Sequence, residues 1–264
     1  MAERLIAVDL DGTMLQRDGR MSEAVRQAVR DVAEDGVHIV IATGRGIGTT
    51  IPIVAYLGLR HGYVVCSNGA VTLKLDPDEP DGYQVLETVT FDPAPALAML
   101  RGSWPDAVVA VEEIGVGFKV SGPFPDGELV GEVRVVPWAE LSLSPATRVT
   151  FRSPTGTAED FLALVKRIGL HGVSYAVGFT AWLDINPEGV SKASALEPIR
   201  RLLGVEPAQT NAVGDQRNDV EMLRWAARGV AMGSAPDEVK AAADEVTRDV
   251  ELDGLVPVLR SLLG

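Results

Sequence analysis

The sequence predicts an α/β fold, a doubly wound parallel-sheet core built from two stretches of chain and interrupted by an inserted α/β module. Three observations carry this. Short apolar runs, of the kind buried on both faces of a parallel sheet, alternate with helix-period segments over the first ninety residues. A strand-rich block with Pro/Gly breaks follows, and the alternation returns near the C-terminus.

Leu5 to Val8 is the first buried strand. Ser22 caps a helix whose apolar residues Val25, Ala28, Val29, Val32 and Ala33 recur at helical spacing and which ends at Gly36. Val37 to Ala42 and Tyr63 to Ser67 are the next two strands. Ala70 to Leu75 and Gln84 to Thr90 flank an Asp/Pro/Gly-rich turn from Asp76 to Gly82 and read as a hairpin. From Phe91 to Asp184 the chain is strand-rich, broken at Ser121 to Gly127 and Ser153 to Gly156, with helical pieces at Pro93 to Arg101 and Thr157 to Ile168. A helix over Ser191 to Leu203, a strand over Thr210 to Val213 and a helix over Asn218 to Ala227 resume the first pattern. Gly229 to Met232, the helical Pro236 to Ala242 and a last helix from Gly254 complete it. The expected division is a discontinuous core, 1–84 with 185–264, around an insert at 85–184.

Composition sets limits. At 264 residues, 46% hydrophobic and 23% charged, the chain has the make-up of a globular protein rather than a disordered one. A net charge of −13 without any Lys/Arg-rich block argues against a nucleic-acid partner. An acidic protein that takes an anionic ligand needs local neutralisation, most simply by a divalent cation. The single cysteine, Cys66, lies in an apolar run; it excludes an intrachain disulfide and a cysteine-based zinc cluster and reads as an inert core thiol. Met1 to Arg4 lead straight into the first strand without the pattern of a secretory signal, and no apolar stretch approaches the ~20 residues of a spanning helix. The expectation is a cytoplasmic protein without a membrane partner, either monomer or homodimer.

The strongest chemical signal is Asp9-Leu10-Asp11-Gly12-Thr13 at the end of the first strand. Residues two apart on an extended segment share a side, so both carboxylates face the crevice at the C-terminal edge of the sheet, where such folds bind ligands. Like charges this close require a cation or a proton. One carboxylate can then be metal-bound and nucleophilic while the other carries the proton. Alone, the motif also fits a solvated turn with capping aspartates.

Ile41-Ala42-Thr43-Gly44-Arg45 ends the next core strand, where a hydroxyl and a turn of backbone can donate to a phosphate. Gly44, Gly46 and Gly48 do not make a dinucleotide fingerprint, because Thr49 stands where the third glycine is needed. Lys192 opens a helix, where it opposes the helix dipole; a cation offsetting carboxylate and phosphate explains it, as does a merely solvated lysine. Gly214-Asp215-Gln216-Arg217-Asn218-Asp219 again puts carboxylates at a strand end before a helix. With Asp9, Asp215 and Asp219 make an oxygen-rich site suited to Mg²⁺, although Asp219 also fits a helix cap.

Taken together and in this order, these motifs resemble those of the haloacid dehalogenase superfamily of phosphohydrolases. Asp9-x-Asp11-Gly12-Thr13 resembles its first motif, Thr43 its second, Lys192 its third and Gly214-Asp215-x-x-Asn218-Asp219 its fourth. Ser67-Asn68-Gly69-Ala70, Gly189-Val190-Ser191-Lys192, Asn218 to Leu223 and Val230-Ala231-Met232-Gly233 are similar to the Cof-type branch. The resemblance implies a Rossmann-like core with an α/β cap and a phosphatase acting on small phosphorylated metabolites, sugar phosphates first. It implies that Asp9 attacks phosphorus and that Asp11 protonates the leaving oxygen and then activates water. Thr43 and Lys192 would hold the phosphoryl oxygens, with Gly44, Arg45, Asn68 and Asn218 at the phosphate or substrate. Asp9, the Asp11 carbonyl and Asp215 would ligate Mg²⁺, with Asp219 acting through water.

Two departures are visible: Ser234 where the branch usually has asparagine, and Glu188 where lysine is frequent, which lowers local positive charge. Arg148, Arg152, Tyr175 and Trp182 are candidates, by side-chain chemistry, to meet the leaving group. A phosphosugar mutase on the same nucleophile and a non-catalytic phosphometabolite binder are the competing readings. A response-regulator receiver fits less well, because the Asp pair sits on the first strand and a large insert separates Thr43 from Lys192.

Overall fold

The computed structural model describes residues 3–125, 128–129, 131–153, 156–157, 159–160, 163, 173–177 and 182–264. The helix expected over Thr157 to Ile168 falls for the most part outside the described residues. The chain forms two compact units: residues 1–44, 50–87 and 191–264 make one, and residues 45–49 with 88–190 the other.

The first unit begins with β1 (Leu5–Val8), α1 (Glu23–Glu34), β2 (His38–Ala42), α2 (Ile47–Leu57), β3 (Gly62–Cys66), β4 (Val71–Leu75) and β5 (Tyr83–Thr88). Helix α1 starts because Ser22 Oγ accepts the Val25 N–H at 3.1 Å, and it buries Val25, Ala28, Val29 and Val32. It stops before Gly36, whose φ of +83° suits a residue without Cβ.

The second unit holds α3 (Ala94–Ser103), β6 (Val108–Glu113), β7 (Gly117–Val120), β8 (Glu132–Val135), β9 (Val149–Arg152), β10 (Val173–Val177) and β11 (Trp182–Pro187). Its sheet runs β10-β11-β9-β6-β7-β8, antiparallel except where β7 pairs with β8. Ala96, Leu97 and Leu100 of α3 pack on Val109, Val111, Val149, Phe151, Leu183 and Ile185, alternate residues of the central strands. Ala110, Phe118 and Val120 form a smaller cluster with Phe124.

The chain returns to the first unit with α4 (Lys192–Leu202), β12 (Thr210–Gly214), α5 (Val220–Trp225), β13 (Arg228–Ala231), α6 (Asp237–Lys240), β14 (Glu245–Val246) and α7 (Leu255–Arg260). Its eight strands lie in the order β14-β13-β12-β1-β2-β3-β4-β5. The pairings from β14 through to β3 are parallel and β3 with β4 is antiparallel. Leu5 and Ala7 face α4 and α5 in a core with Leu196, Ile199, Met222 and Leu223, while Ile6 and Val8 point to the opposite face. Each fully buried leucine or isoleucine here contributes roughly 1.5–3 kcal/mol.

The junctions fall after Glu87 and Val190, against the expected 84/85 and 184/185. The second shift has a clear cause: β11 runs on to Pro187, paired with Val173 of β10, so a boundary at 184 cuts a strand. Among the described residues no helix is long and apolar enough to cross a membrane.

Candidate active site

From β1 the chain proceeds through β2 to β5 on one side of the sheet, and β12 to β14 lie on the other. The order therefore reverses between β1 and β12, and ligands of open α/β sheets bind in the crevice beyond the carboxyl ends of strands at such a point. Register aligns those ends, since Val8 is paired with both Ile41 and Val213. Asp9 continues the ladder, its N–H donating to Val213 O at 3.0 Å, and Thr43 continues β2 with its N–H on Val65 O at 2.9 Å.

After Asp9 the chain turns sharply. Gly12 has φ +83°, and a Cβ there would lie 2.2 Å from Asp215 Oδ2, so glycine is needed for both the turn and the close approach. The loop is tied by Gly12 N–H to Leu15 O and Met14 N–H to Leu10 O, both 2.9 Å. Asp11 is exposed, whereas Thr13 is fully buried.

Lys192 is the first residue of α4, whose N-cap Ser191 accepts the Ser194 N–H. The lysine is wholly buried, and its Nζ donates at 2.6 Å both to Asp9 Oδ1 and to Asp219 Oδ1. The helix start is brought in by Gly69, at φ +106°, where a Cβ would stand 2.2 Å from Ser191 O. Asp219 uses its other oxygen on the loop after β12, Oδ2 accepting the N–H groups of Asp215 and Gln216, each at 2.9 Å. Gly214 makes room for it, since a Cβ there would meet Asp219 Cγ at 2.4 Å.

Asp9, Asp215 and Asp219 are all buried, and one carboxylate oxygen from each falls within 4.8 Å of the others. Within that cluster Asp9 Oδ2 and Asp215 Oδ1 are buried oxygens that accept no hydrogen bond. Buried carboxylate oxygens without donors are costly, and a hard divalent cation with oxygen ligands satisfies them. The donor set therefore fits a hard divalent cation. Asp219 differs in that Lys192 engages its Oδ1 and two backbone amides engage its Oδ2.

The electrostatics agree. Burial pushes the Asp9 carboxyl well above the ordinary aspartate value; Lys192 opposes this, and Asp219, Asp215 and Asp11 add to it. Asp215 is pushed up to about 7, chiefly by burial and then by Asp219. Burial works against the charge of Lys192, but Asp219 and Asp9 outweigh it and hold the ammonium above the usual lysine value.

Thr43 and Asn68 are buried and joined through the backbone, Asn68 N–H donating to Thr43 O at 3.0 Å. Asn68 adopts φ +57°, and its Oδ1 accepts from Asn218 Nδ2 at 2.9 Å. Gly44 lies against this pair, its Cβ position 3.0 Å from Asn68 Oδ1. Arg45 groups instead with the second unit. Of the leaving-group candidates, Arg152 is engaged by Glu128, Nε to Oε2 at 3.0 Å. Arg148 is buried beside Glu112, 3.6 Å away, with its guanidinium over the Phe118 ring. Both guanidinium groups therefore have a carboxylate neighbour within their own unit. Trp182 packs edge-on against Phe124, and Tyr175 is exposed. The roles of Gly69 and Gln216, whose side-chain amide donates to Asp215 Oδ2 at 3.1 Å, were not signalled by residue type.

A buried carboxylate, a lysine bridging two aspartates and an oxygen-rich cluster at a switch point are what a phosphohydrolase site of the haloacid dehalogenase kind requires. The sequence profile described as haloacid dehalogenase-like hydrolase matches residues 6–94 and 142–259, and the chain belongs to that family. It is a phosphatase of the Cof-type branch. It is 28% identical, over 97% of its length and 94% of the relative's, to the 5-amino-6-(5-phospho-D-ribitylamino)uracil phosphatase YcsE of Bacillus subtilis. It is 30% identical to a phosphoglycolate phosphatase of Natronomonas pharaonis, covering 96% and 95% of the two chains. Among solved structures, a haloacid dehalogenase-like hydrolase from B. subtilis superposes with a TM-score of 0.83 at 25% identity, covering 98% of this chain and 100% of that one.

Proposed function

We propose that the protein is a Mg²⁺-dependent phosphatase that hydrolyses small phosphate monoesters, sugar phosphates foremost, through an aspartyl-phosphate on Asp9. The observation that carries this is the buried Asp9 carboxylate, held on Oδ1 by Lys192 and left open on Oδ2. Relatives named for a phosphoribityl compound and for phosphoglycolate support a small phosphorylated metabolite as substrate.

Asp9 and Asp215 would hold the ion, with the Asp11 carbonyl, and Asp219 would brace the site. When bound, the ion supplies positive charge that neutralises the crowded carboxylates and the phosphoryl oxygens. Asp9 attacks phosphorus; the P–O bond to the leaving group breaks, and Asp11 gives that oxygen its proton. Asp11, now a carboxylate, takes a proton from water as the water oxygen attacks phosphorus. Inorganic phosphate departs and Asp9 is restored. Lys192 keeps its proton throughout, orients Asp9 and offsets charge as it builds on the phosphoryl group. Thr43 and the Gly44 backbone hold the remaining phosphoryl oxygens, and Asn68 and Asn218 fix the turn beneath them.

The test is phosphate release from a panel of phosphomonoesters, with Mg²⁺ or EDTA, for wild type and Asp9→Asn. Metal-dependent release that disappears in Asp9→Asn is expected. Release that survives in Asp9→Asn would refute the covalent route.

A further inference from the structure

We infer that a second binding site, for a small organic anion with an apolar body, lies at the edge of the core sheet opposite the catalytic carboxylates. A cavity of about 660 Å³ opens there, within the volume range of small-molecule sites, and its wall includes His38, Arg60, His61, Tyr63, Lys74 and Leu203. Topology fixes the placement. His38 begins β2 and Thr43 follows its end, so the cavity and the catalytic edge are separated by the length of a strand, about 16 Å at ~3.3 Å per residue.

The charge of the wall is opposite to that of the molecule. The chain carries 37 acidic and 24 basic residues, yet no carboxylate lines this cavity among the described residues. Arg60, His61 and Lys74 are exposed, and among the described residues none of the three has an ion-pair or side-chain hydrogen-bond partner. His38, the other imidazole of the wall, is held by Glu3, Nε2 to Oε2 at 2.8 Å. Two cations lining one cavity of an acidic protein create a local positive field, which an anion relieves.

The rest of the wall is apolar. Tyr63 and Lys74 are directly paired across β3 and β4, so the phenol ring and the ammonium stand on the same face of the sheet. The Tyr63 ring packs against the core and Leu203 closes the cavity at the end of α4. A flat or aliphatic body against Tyr63 and Leu203, with a carboxylate, sulfonate or phosphate between Arg60 and Lys74, matches both halves of the wall. The same residues take no part in the chemistry at Asp9, so occupancy here is separable from turnover.

The probe is 1-naphthalenesulfonate, an aromatic anion with no phosphoester to hydrolyse, titrated calorimetrically into the full chain. One saturable site per chain is expected. Arg60→Ala/Lys74→Ala weakens it at least tenfold while keeping the wild-type melting temperature and phosphatase rate, and Asp9→Asn leaves the affinity unchanged. Neutral naphthalenemethanol binds more weakly than the sulfonate. The absence of saturable binding, an unaltered affinity in the folded double variant, or tighter binding in Asp9→Asn, which would place the probe among the catalytic carboxylates, each overturns the inference.

Discussion

Replacing Gly69 by alanine adds one methyl group, far from any reacting atom in sequence, and tests how Lys192 is positioned. The new Cβ would lie 2.2 Å from Ser191 O and 3.3 Å from Lys192 N, where real Cβ contacts essentially never fall below 3.0 Å. The N-terminus of α4 must therefore retreat by about 1 Å, and Lys192 retreats with it; a misplacement of that size costs up to ~10²-fold in rate. Both 2.6 Å bonds of Nζ, to Asp9 and to Asp219, lengthen together. The positive φ adds a cost of its own, roughly 1–2 kcal/mol. Gly82→Ala separates the two effects, because Gly82 has φ +77° but nothing within 4 Å of its Cβ position. The assay is kcat on p-nitrophenyl phosphate beside thermal melting. Gly82→Ala is expected to lower Tm by a few degrees, at about 2–4 °C per kcal/mol, with kcat intact. Gly69→Ala is expected to lower Tm further and kcat by ~10–100-fold. If Gly69→Ala melts with Gly82→Ala and turns over like wild type, the buttressing of Lys192 by this turn is refuted.

Asp215 is predicted to make metal-free protein pH-sensitive. Its folded pKa, about 7, lies above its unfolded value, so the folded state binds the extra proton and stability is lost as pH rises between about 4 and 7. Under EDTA, Asp215→Asn should therefore be more stable than wild type above pH 7, by on the order of 2–4 kcal/mol, with the gap closing as pH falls towards 4; a gap that widens on acidification contradicts this. Glu197 shows the opposite sign. Arg200, Trp225 and Arg201 hold its carboxyl down to about 2, so its contribution is present above about 4.5 and lost as pH falls towards 2. Glu197→Gln should cost ~1 kcal/mol at pH 7, after allowance for solvent screening, and nothing near pH 2 in urea titrations. Asp11→Ala should slow alkyl phosphate hydrolysis by ~10²–10⁴-fold, because the leaving alkoxide needs its proton. Phosphoryl transfer from p-nitrophenyl phosphate to Asp9, measured as a burst, should suffer much less.

The parts of the fold legible in the sequence were those with a local signature. Leu5 to Val8 announces a core strand because both of its faces are buried, and Asp9 follows because parallel sheets present their ligands at strand ends. Ser22 and Ser191 mark helix starts through a hydrogen bond that spans only three residues. What escaped depended on partners distant in the chain. That Glu112 comes beside Arg148 follows only from the pairing of β6 with β9. Nothing local shows that Lys192, 27 residues earlier, reaches Asp219 Oδ1, so this contact is legible only in the folded chain. That β11 runs past Asp184 to Pro187 depends on its pairing with β10, a fact outside the strand's own residues.

The charges at the site impose one further consequence. Lys192 is a single cation serving two buried carboxylates, and Asp215 and Asp11 add two more negative groups around Asp9. Burial first, and the neighbouring carboxylates after it, hold both Asp9 and Asp215 above the ordinary aspartate range, so without another cation protonation is favoured. A protonated Asp9 is no nucleophile. Under the proposed function, binding of the ion would do two things at once: displace protons from these carboxylates and satisfy Asp9 Oδ2 and Asp215 Oδ1, whose desolvation otherwise costs ~1–3 kcal/mol each. Stabilisation and nucleophilicity become two readouts of one equilibrium. Titrating Mg²⁺ at pH 7 should raise Tm and phosphate release with the same midpoint, and at pH 5.5 both midpoints should move together to higher Mg²⁺ as protons compete. Midpoints that separate with pH would mean that the ion which stabilises the fold is not the one that arms Asp9.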